Sequence, residues 1–138
     1  MRVAFGTDED TPVTAAIVAH LEASGHTVVF PASGAAWPEV GRAVGTAVVG
    51  GAADRGVVCC WTGTGVSIAA NKVAGVRAAL CTDAETARGA RRWNDANVVA
   101  FGLRLTSEEI GREIVDAFLG AEADPGEASA ILRLEPPE

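Results

Sequence analysis

A thiol lies where a strand is expected to turn into a helix. Residues 59–72 read Cys-Cys-Trp-Thr-Gly-Thr-Gly-Val-Ser-Ile-Ala-Ala-Asn-Lys. The apolar run that ends at Cys60 is typical of a buried parallel strand, and the two glycines after it allow a sharp turn into a helix. The turn residues whose N–H groups we expect to be free are Gly63, Thr64, Gly65 and Val66. Such groups could favour a thiolate base and hold a carboxylate, a phosphate or a transient enolate beside it.

The glycine turn by itself is a weak signal. It lacks the third glycine of a dinucleotide fingerprint and the lysine spacing of a phosphate-binding loop. An ordinary strand-to-helix turn, with Cys60 as a buried packing thiol, is the alternative. Cys59 and Cys60 are neighbours on a strand, so their side chains point to opposite faces, and Cys81 ends another apolar run. We therefore expect three reduced cysteines.

Composition excludes several classes of protein. The chain has 138 residues, of which 49% are hydrophobic and 21% are charged, as expected for one globular domain. Its net charge of −7 and its single lysine, Lys72, make nucleic acid an improbable partner. We find neither a signal-peptide pattern nor an apolar stretch long enough to cross a membrane, so we expect a cytoplasmic protein.

Apolar runs alternate with helical patterns along the whole chain. This order predicts an α/β fold: a doubly wound, five-stranded parallel sheet with helices on both faces, which is a Rossmann-like three-layer sandwich. The predicted strands are Val3–Gly6, Thr27–Phe30, Val57–Cys60, Arg77–Leu80 and Val98–Phe101. The predicted helices are Pro12–Ala23, Pro38–Gly50, Val66–Lys72, Asp83–Trp93 and Ser107–Leu119, the last opened by a capping box at Thr106 and Glu109. Residues 1–120 are expected to form a single domain, and residues 121–138 a C-terminal arm that could be partly disordered.

Ligands of such sheets bind beyond the carboxyl ends of the strands, near the switch in strand order. This rule places Asp8, Cys60, Thr62 and Cys81 on one rim.

Several separated segments together resemble the type B ribose-5-phosphate isomerases and the related galactose-6-phosphate isomerase subunits. The matching segments are Gly56–Leu80, which includes Thr62–Gly65, Ser67–Lys72 and Gly75–Leu80, then Asn94–Val98, and Asp8 after the first strand. The resemblance covers about residues 1–119. It implies a homodimer with active sites at the subunit interface, acting on a small sugar-like substrate without a metal or an organic cofactor.

The resemblance also implies a role for each matching residue. Cys60 would move a proton between adjacent sugar carbons, Thr62 would assist proton movement, and the Gly63–Val66 turn would hold the enediolate oxygen. Asp8, Asn71 and Asn94 would bind sugar hydroxyl groups. Asn71 and Asn94 could instead cap turns.

The chain departs from the family pattern at the other functional positions. Glu9 replaces a histidine that helps bind phosphate, and Trp93 replaces the histidine credited with opening the sugar ring. The segment 125–131 lacks the two arginines and the histidine of the phosphate grip. All three tryptophans, Trp37, Trp61 and Trp93, stand at altered positions, so we expect them to converge on one pocket for a less charged substrate. Alternatively, they pack an interface core.

These observations lead to three hypotheses. The first is an aldose–ketose isomerase with a cysteine base and an enediolate intermediate, acting on a small hydroxy-carbonyl compound that is unphosphorylated or already open-chain. The second is a sugar-binding or regulatory homologue with impaired catalysis. The third is an ordinary pentose or hexose phosphate isomerase in which Arg88, Arg91 or Arg92 replaces the missing phosphate grip.

Overall fold

The structure, a computed structural model, describes residues 1–137. The strands are β1 (Arg2–Thr7), β2 (Thr27–Val29), β3 (Arg55–Cys60), β4 (Ala78–Leu80) and β5 (Val98–Gly102). The helices are α1 (Pro12–Ala23), α2 (Trp37–Val49), α3 (Thr64–Asn71), α4 (Ala84–Asn94), α5 (Glu108–Gly120) and α6 (Ala128–Leu132), with a short 3-10 turn at Pro125–Glu127. Within residues 1–137, no helix is both long enough and apolar enough to span a bilayer.

All strand pairs are parallel, and the sheet order is β2-β1-β3-β5-β4. The predicted five strands and five main helices are confirmed in order and type, with ends displaced by at most two residues. The predicted α/β sandwich is therefore confirmed. The sixth helix falls in the predicted C-terminal arm.

Two apolar cores cover the two faces of the sheet. The α2 and α3 side contains Val40, Val44 and Val66, and the opposite side contains Ile17, Ile114 and Phe118 from α1 and α5. Strand β3 is buried on both faces, as its unbroken apolar pattern predicts. Its last two residues point to opposite cores because side chains alternate along a strand.

Helix α3 is held in place by a very close approach to α2. A Cβ atom added at Gly41 would lie 2.6 Å from the Cβ of Ala69 and 2.8 Å from the carbonyl oxygen of Val66. Only a residue without a side chain fits at this contact. The glycine thereby allows α2 to pack directly against the backbone of α3.

The predicted capping box at Thr106 is wrong. Ser107 caps α5, because its side chain accepts a hydrogen bond from the Ile110 N–H at 3.1 Å. Thr106 is buried, and its backbone N–H donates to the carbonyl of Gly102 at 3.0 Å. Thr106 and Ser107 both fit the sequence pattern of an N-cap. The side chain of Thr106 is buried in the core, so Ser107 caps the helix.

Asn71 protects the free edge of β4. Its Nδ2 donates to the Ala78 carbonyl at 3.0 Å, and its Oδ1 accepts from the Ala78 N–H at 2.8 Å. The amide side chain thus occupies the position of a sixth strand at one point of the edge, which is where unpaired strands otherwise invite association. The predicted contact of Asn71 with a sugar hydroxyl is therefore corrected to a structural role, close to the capping alternative.

We expect Asn71→Ala to lower the free energy of unfolding by about 1–3 kcal/mol, because two backbone groups of Ala78 lose their partners. Asn94→Ala is the matched control, since the Asn94 side chain is exposed and has no hydrogen bond to another of the residues 1–137; it should change stability by less than about 0.5 kcal/mol. Chemical denaturation of both variants measures the difference. Equal effects would contradict the assigned role of Asn71.

Candidate active site

Cys60 is the last residue of β3 and faces the core beneath α2 and α3. It is 5% exposed. Its carbonyl accepts a hydrogen bond from the Leu103 N–H at 2.9 Å, and the next carbonyl, that of Trp61, accepts from the Arg104 N–H at 2.9 Å. The chain that leaves β3 therefore runs beside the chain that leaves β5. These bonds fix the end of the strand that carries the thiol.

The turn after Cys60 carries free backbone donors. Gly63 has φ +76° and precedes the first turn of α3, and a Cβ atom there would lie 2.6 Å from the carbonyl carbon of Phe101. Both the left-handed conformation and the lack of space require glycine. The first helical bond runs from the Ser67 N–H to the Gly63 carbonyl at 3.2 Å. The N–H groups of Gly63–Val66 have no acceptor among residues 1–137, so this turn is open to an anion.

Two threonine hydroxyls stand at the same turn. The Oγ1 atoms of Thr62 and Thr64 are 2.7 Å apart, and both residues are exposed. Because a hydroxyl can both donate and accept, this pair can pass a proton to a group bound at the turn.

Asp8 lies on the same edge of the sheet. Thr7 is in register with Cys59 in the β1–β3 pair, so Asp8, the next residue, follows β1 at the level of Cys60, beside the switch in strand order. The Thr7 hydroxyl donates to the Glu9 carbonyl at 2.8 Å and accepts from the Glu9 N–H at 3.2 Å. These two bonds hold the exposed carboxylate of Asp8 at the tip of a tight loop.

Two of the three tryptophans flank the glycine turn. A Cβ atom at Gly65 would lie 2.8 Å from Cε3 of Trp37, so the indole lies directly on this glycine. Trp37 is 44% exposed and Trp61, which follows Cys60, is 55% exposed. Both indoles therefore present free aromatic surface near the free N–H groups.

Within one chain, Trp93 does not lie with the other two tryptophans. Trp93 and Asn94 end α4, which begins after the carboxyl end of β4 and runs back across the sheet to the start of β5. Eleven helical residues cover about 16 Å at 1.5 Å per residue. Trp93 and Asn94 consequently lie at the opposite edge of the sheet from Cys60, as does Asn71.

Neither of the other thiols suits a base at neutral pH. Burial raises the pKa of Cys59 to about 12 and that of Cys81 to about 11. Cys81 follows β4 as predicted, but it is 1% exposed and belongs to the core on the α1 side. Among residues 1–137, no group of three His, Cys, Asp or Glu side chains is arranged to hold a metal ion.

The three arginines of α4, Arg88, Arg91 and Arg92, do not form one solvent-facing stripe. Arg91 is 2% exposed and pairs with Asp95 at 2.8 Å, while Arg88 pairs with Glu85 at 2.8 Å. The hypothesis that Arg88, Arg91 or Arg92 replaces a phosphate grip is therefore corrected for Arg91, which faces the interior, and stays a prediction for the other two. Arg92 remains exposed at this helix.

Sequence reasoning missed Arg104. It is exposed, it directly follows the β5 end that runs beside Trp61, and it forms no ion pair with another of the residues 1–137. Its position three residues after the predicted strand Val98–Phe101 was the available signal, because the carboxyl ends of all strands meet at this edge. A cation is thus available at the edge that holds Cys60 and the open turn.

A groove of about 700 Å³ opens on this edge between α1 and residues 30–34. Thr7 and Asp10 are among its lining residues, whereas Cys60 is not. In a single chain, therefore, the sulfur is nearly covered, and the open groove lies to one side of it.

Comparison with known proteins places these features in a family. The family model described as Ribose/Galactose Isomerase matches residues 3–133. Ribose-5-phosphate isomerase B of Escherichia coli K12 is 41% identical over 130 residues, which cover 91% of this chain and 87% of that protein. A D-erythrulose-4-phosphate isomerase of Pectobacterium atrosepticum is 42% identical over 90 residues, which cover 65% of this chain and 59% of that protein.

A solved structure of ribose-5-phosphate isomerase B from Clostridium thermocellum superposes with a TM-score of 0.91 at 36% identity, covering 97% of this chain and 95% of the other. The sequence resemblance, the sheet order and the position of the thiol turn therefore agree, and the chain belongs to the ribose/galactose isomerase family, a family of isomerases.

Proposed function

We propose that the protein is an aldose–ketose isomerase in which Cys60 is the base. The observation that supports this most strongly is the open turn Gly63–Val66 directly after the cysteine. The thiolate takes a proton from the carbon beside the carbonyl, and the electron pair moves to the carbonyl oxygen, giving an enediolate. The turn N–H groups bind that oxygen, whose negative charge develops only along the reaction path. The thiol then returns the proton to the neighbouring carbon, and Thr62 moves the hydroxyl proton.

The second part of the proposal is that two subunits form each site. Trp93 and Asn94 lie across the sheet from Cys60 in one chain, so they reach a shared pocket only if a second copy supplies them. The homodimer with an interfacial site, implied by the family resemblance, provides this arrangement. In it, Asp8 and the partner's Asn94 bind sugar hydroxyls, while Trp37, Trp61 and the partner's Trp93 form the apolar walls.

The third part concerns the substrate. An indole N–H does not exchange protons near neutral pH, so Trp93 cannot open a sugar ring by acid–base catalysis. A four-carbon ketose that carries its phosphate on the terminal oxygen has no stable ring to open. Relatives named D-erythrulose-4-phosphate isomerase occur in Pectobacterium atrosepticum and Mycolicibacterium smegmatis. We therefore propose an open-chain four-carbon substrate, whose phosphate, where present, is held by Arg104 and not by the C-terminal segment.

Two observations favour a second candidate, a sugar-binding or regulatory homologue. The Cys60 residue is 5% exposed, and the ring-opening position is a tryptophan. In that case a sugar would change the tryptophan fluorescence without being converted.

We expect Cys60→Ala to slow the exchange of the carbon-bound proton of D-erythrulose 4-phosphate with solvent deuterium by about 10²–10⁴-fold, the usual contribution of a general base. Proton NMR in deuterated buffer measures the exchange. Cys59→Ala, which removes the adjacent thiol on the other face of β3, should stay within about threefold of wild type. Undiminished exchange in Cys60→Ala would rule out the mechanism, and fluorescence changes without exchange in wild type would support the binding homologue.

We expect the two halves of the site to complement each other in mixed dimers. Cys60→Ala and the double variant Trp93→Ala/Asn94→Ala should each be nearly inactive. Randomly mixed dimers should regain about a quarter of wild-type activity, because half are hybrids and each hybrid has one intact site. Activity that stays at the level of the separate variants after subunit exchange would argue against a shared site.

We expect a preference for the acyclic substrate. The kcat/KM for D-erythrulose 4-phosphate should exceed that for ribose 5-phosphate by about 10²-fold, since no acid is available for ring opening. Removing the phosphate group should cost about tenfold in wild type and little in Arg104→Ala. Equal turnover of ribose 5-phosphate would favour the ordinary pentose phosphate isomerase.

A further inference from the structure

Asp95 is held by two arginines immediately after the Trp93–Asn94 pair. Arg91 Nη1 donates to Oδ1 of Asp95 at 2.8 Å, and Arg77 Nη2 donates to Oδ2 at 3.2 Å. Arg77 Nε also donates to the Asp95 carbonyl at 2.8 Å. Both carboxylate oxygens and the backbone carbonyl of one residue are thus engaged. We refer to Arg77, Arg91 and Asp95 as the arginine clamp.

The clamp holds a strained piece of backbone. Asp95 has φ +48° and is the only non-glycine residue with positive φ among residues 1–137. Such a conformation persists where the surroundings enforce it, and it clusters at functional positions. It ends α4 by turning the chain sharply after Asn94. The direction in which the last two helical residues project therefore depends on this turn.

Arg91 anchors the clamp in the interior. It is 2% exposed, donates through Nη1 to the Ala96 carbonyl at 2.7 Å and through Nε to the Ala121 carbonyl at 3.3 Å. Its guanidinium carbon lies 6.0 Å from the centre of the Phe118 ring. Moving the buried guanidinium of Arg91 would break these hydrogen bonds and leave its charge unpaired, so the side chain is held in this one position. The end of α4 is accordingly fixed to the end of α5.

The indole of Trp93 packs against Gly89 of its own helix. A Cβ atom at Gly89 would lie 2.7 Å from Cζ3 and 2.9 Å from Cε3 of Trp93. The ring therefore lies back over the glycine, one turn earlier, and yet Trp93 is 54% exposed. An aromatic ring supported on one side and exposed on the other is suited to contact a ligand or another chain.

We propose that the arginine clamp and Gly89 are a positioning device that aims Trp93 and Asn94 into the site of the partner subunit. The inference rests on the shared site proposed above. Asp95 and Gly89 are positioning residues, because neither touches the substrate. The clamp sets the direction of the helix end, and the glycine sets the plane of the indole.

The test uses substitutions that keep the backbone and remove one function each. Asp95→Gly accepts the left-handed conformation without the carboxylate, and Asp95→Asn keeps the side-chain size without the charge. Gly89→Ala leaves the clamp intact and displaces the indole. With D-erythrulose 4-phosphate, each variant should raise KM by about tenfold and change kcat by less than about threefold, since binding groups move while Cys60 does not. Glu113→Gln, which alters an exposed carboxylate on α5, should leave both constants unchanged.

Mixed dimers separate positioning from general stability. Asp95→Gly is mixed with Cys60→Ala to form hybrid dimers. In each hybrid, one site combines Cys60 from the Asp95→Gly chain with Trp93 and Asn94 from the Cys60→Ala chain, whose Asp95 is intact. We expect this site to have the wild-type KM. An unchanged KM in Asp95→Gly, or hybrids that keep the raised KM, would overturn the inference.

The ligand-free protein gives an independent reading. The indole N–H resonance of Trp93, assigned by its loss in Trp93→Ala, should shift in Asp95→Gly and in Gly89→Ala but not in Glu113→Gln. This measurement does not depend on turnover. A wild-type protein that converts no sugar would refute the proposed function, and the indole resonance alone would then test the positioning role of the arginine clamp. A resonance that does not shift in these two variants would refute that positioning role.

Discussion

The close contact of Gly63 with the end of β5 is the constraint on which the candidate site depends. A side chain at Gly63 would meet the backbone of Phe101 and Gly102, and one at Gly102 would lie 2.7 Å from the carbonyl of Thr62. Two glycines thus let the chain after β3 press against the chain after β5. This contact turns the first N–H groups of α3 outward beside Cys60. Without it, the thiol would end an ordinary buried strand.

The same geometry explains the division of the site into two groups. Helices of a doubly wound sheet run antiparallel to the strands, so residues at strand ends and residues at helix ends lie on opposite edges. Asp8, Cys60, Trp61 and the open turn belong to the first kind, whereas Trp93 and Asn94 belong to the second. Within one chain the residues of the two kinds are therefore separated, and the proposed site unites them only through a second copy. The symmetry of a dimer would form two such sites at once.

Several polar side chains in or near the matching segments bind the backbone of their own chain. Asn71 serves the edge of β4, and Asn97 ties the segment before β4 by accepting from the Arg77 N–H at 2.7 Å and donating to the Gly75 carbonyl at 2.9 Å. Arg91 looks like part of a solvent-facing stripe, yet its charge is buried against Asp95. In each case a polar residue near a functional segment satisfies backbone groups that would otherwise be unpaired.

The sequence by itself determined the order and type of the elements, the parallel sheet and the turn that carries Cys60, because apolar periodicity and glycine positions are local properties. It also identified the family through several separated segments that occur in the expected order along the chain. Only the tertiary structure decided that Trp93 lies away from Trp37, that Arg91 is internal, and that the chain at Arg104 runs beside Trp61. Those facts depend on helix direction and on which strands are neighbours, and both arise from packing between residues far apart in the chain.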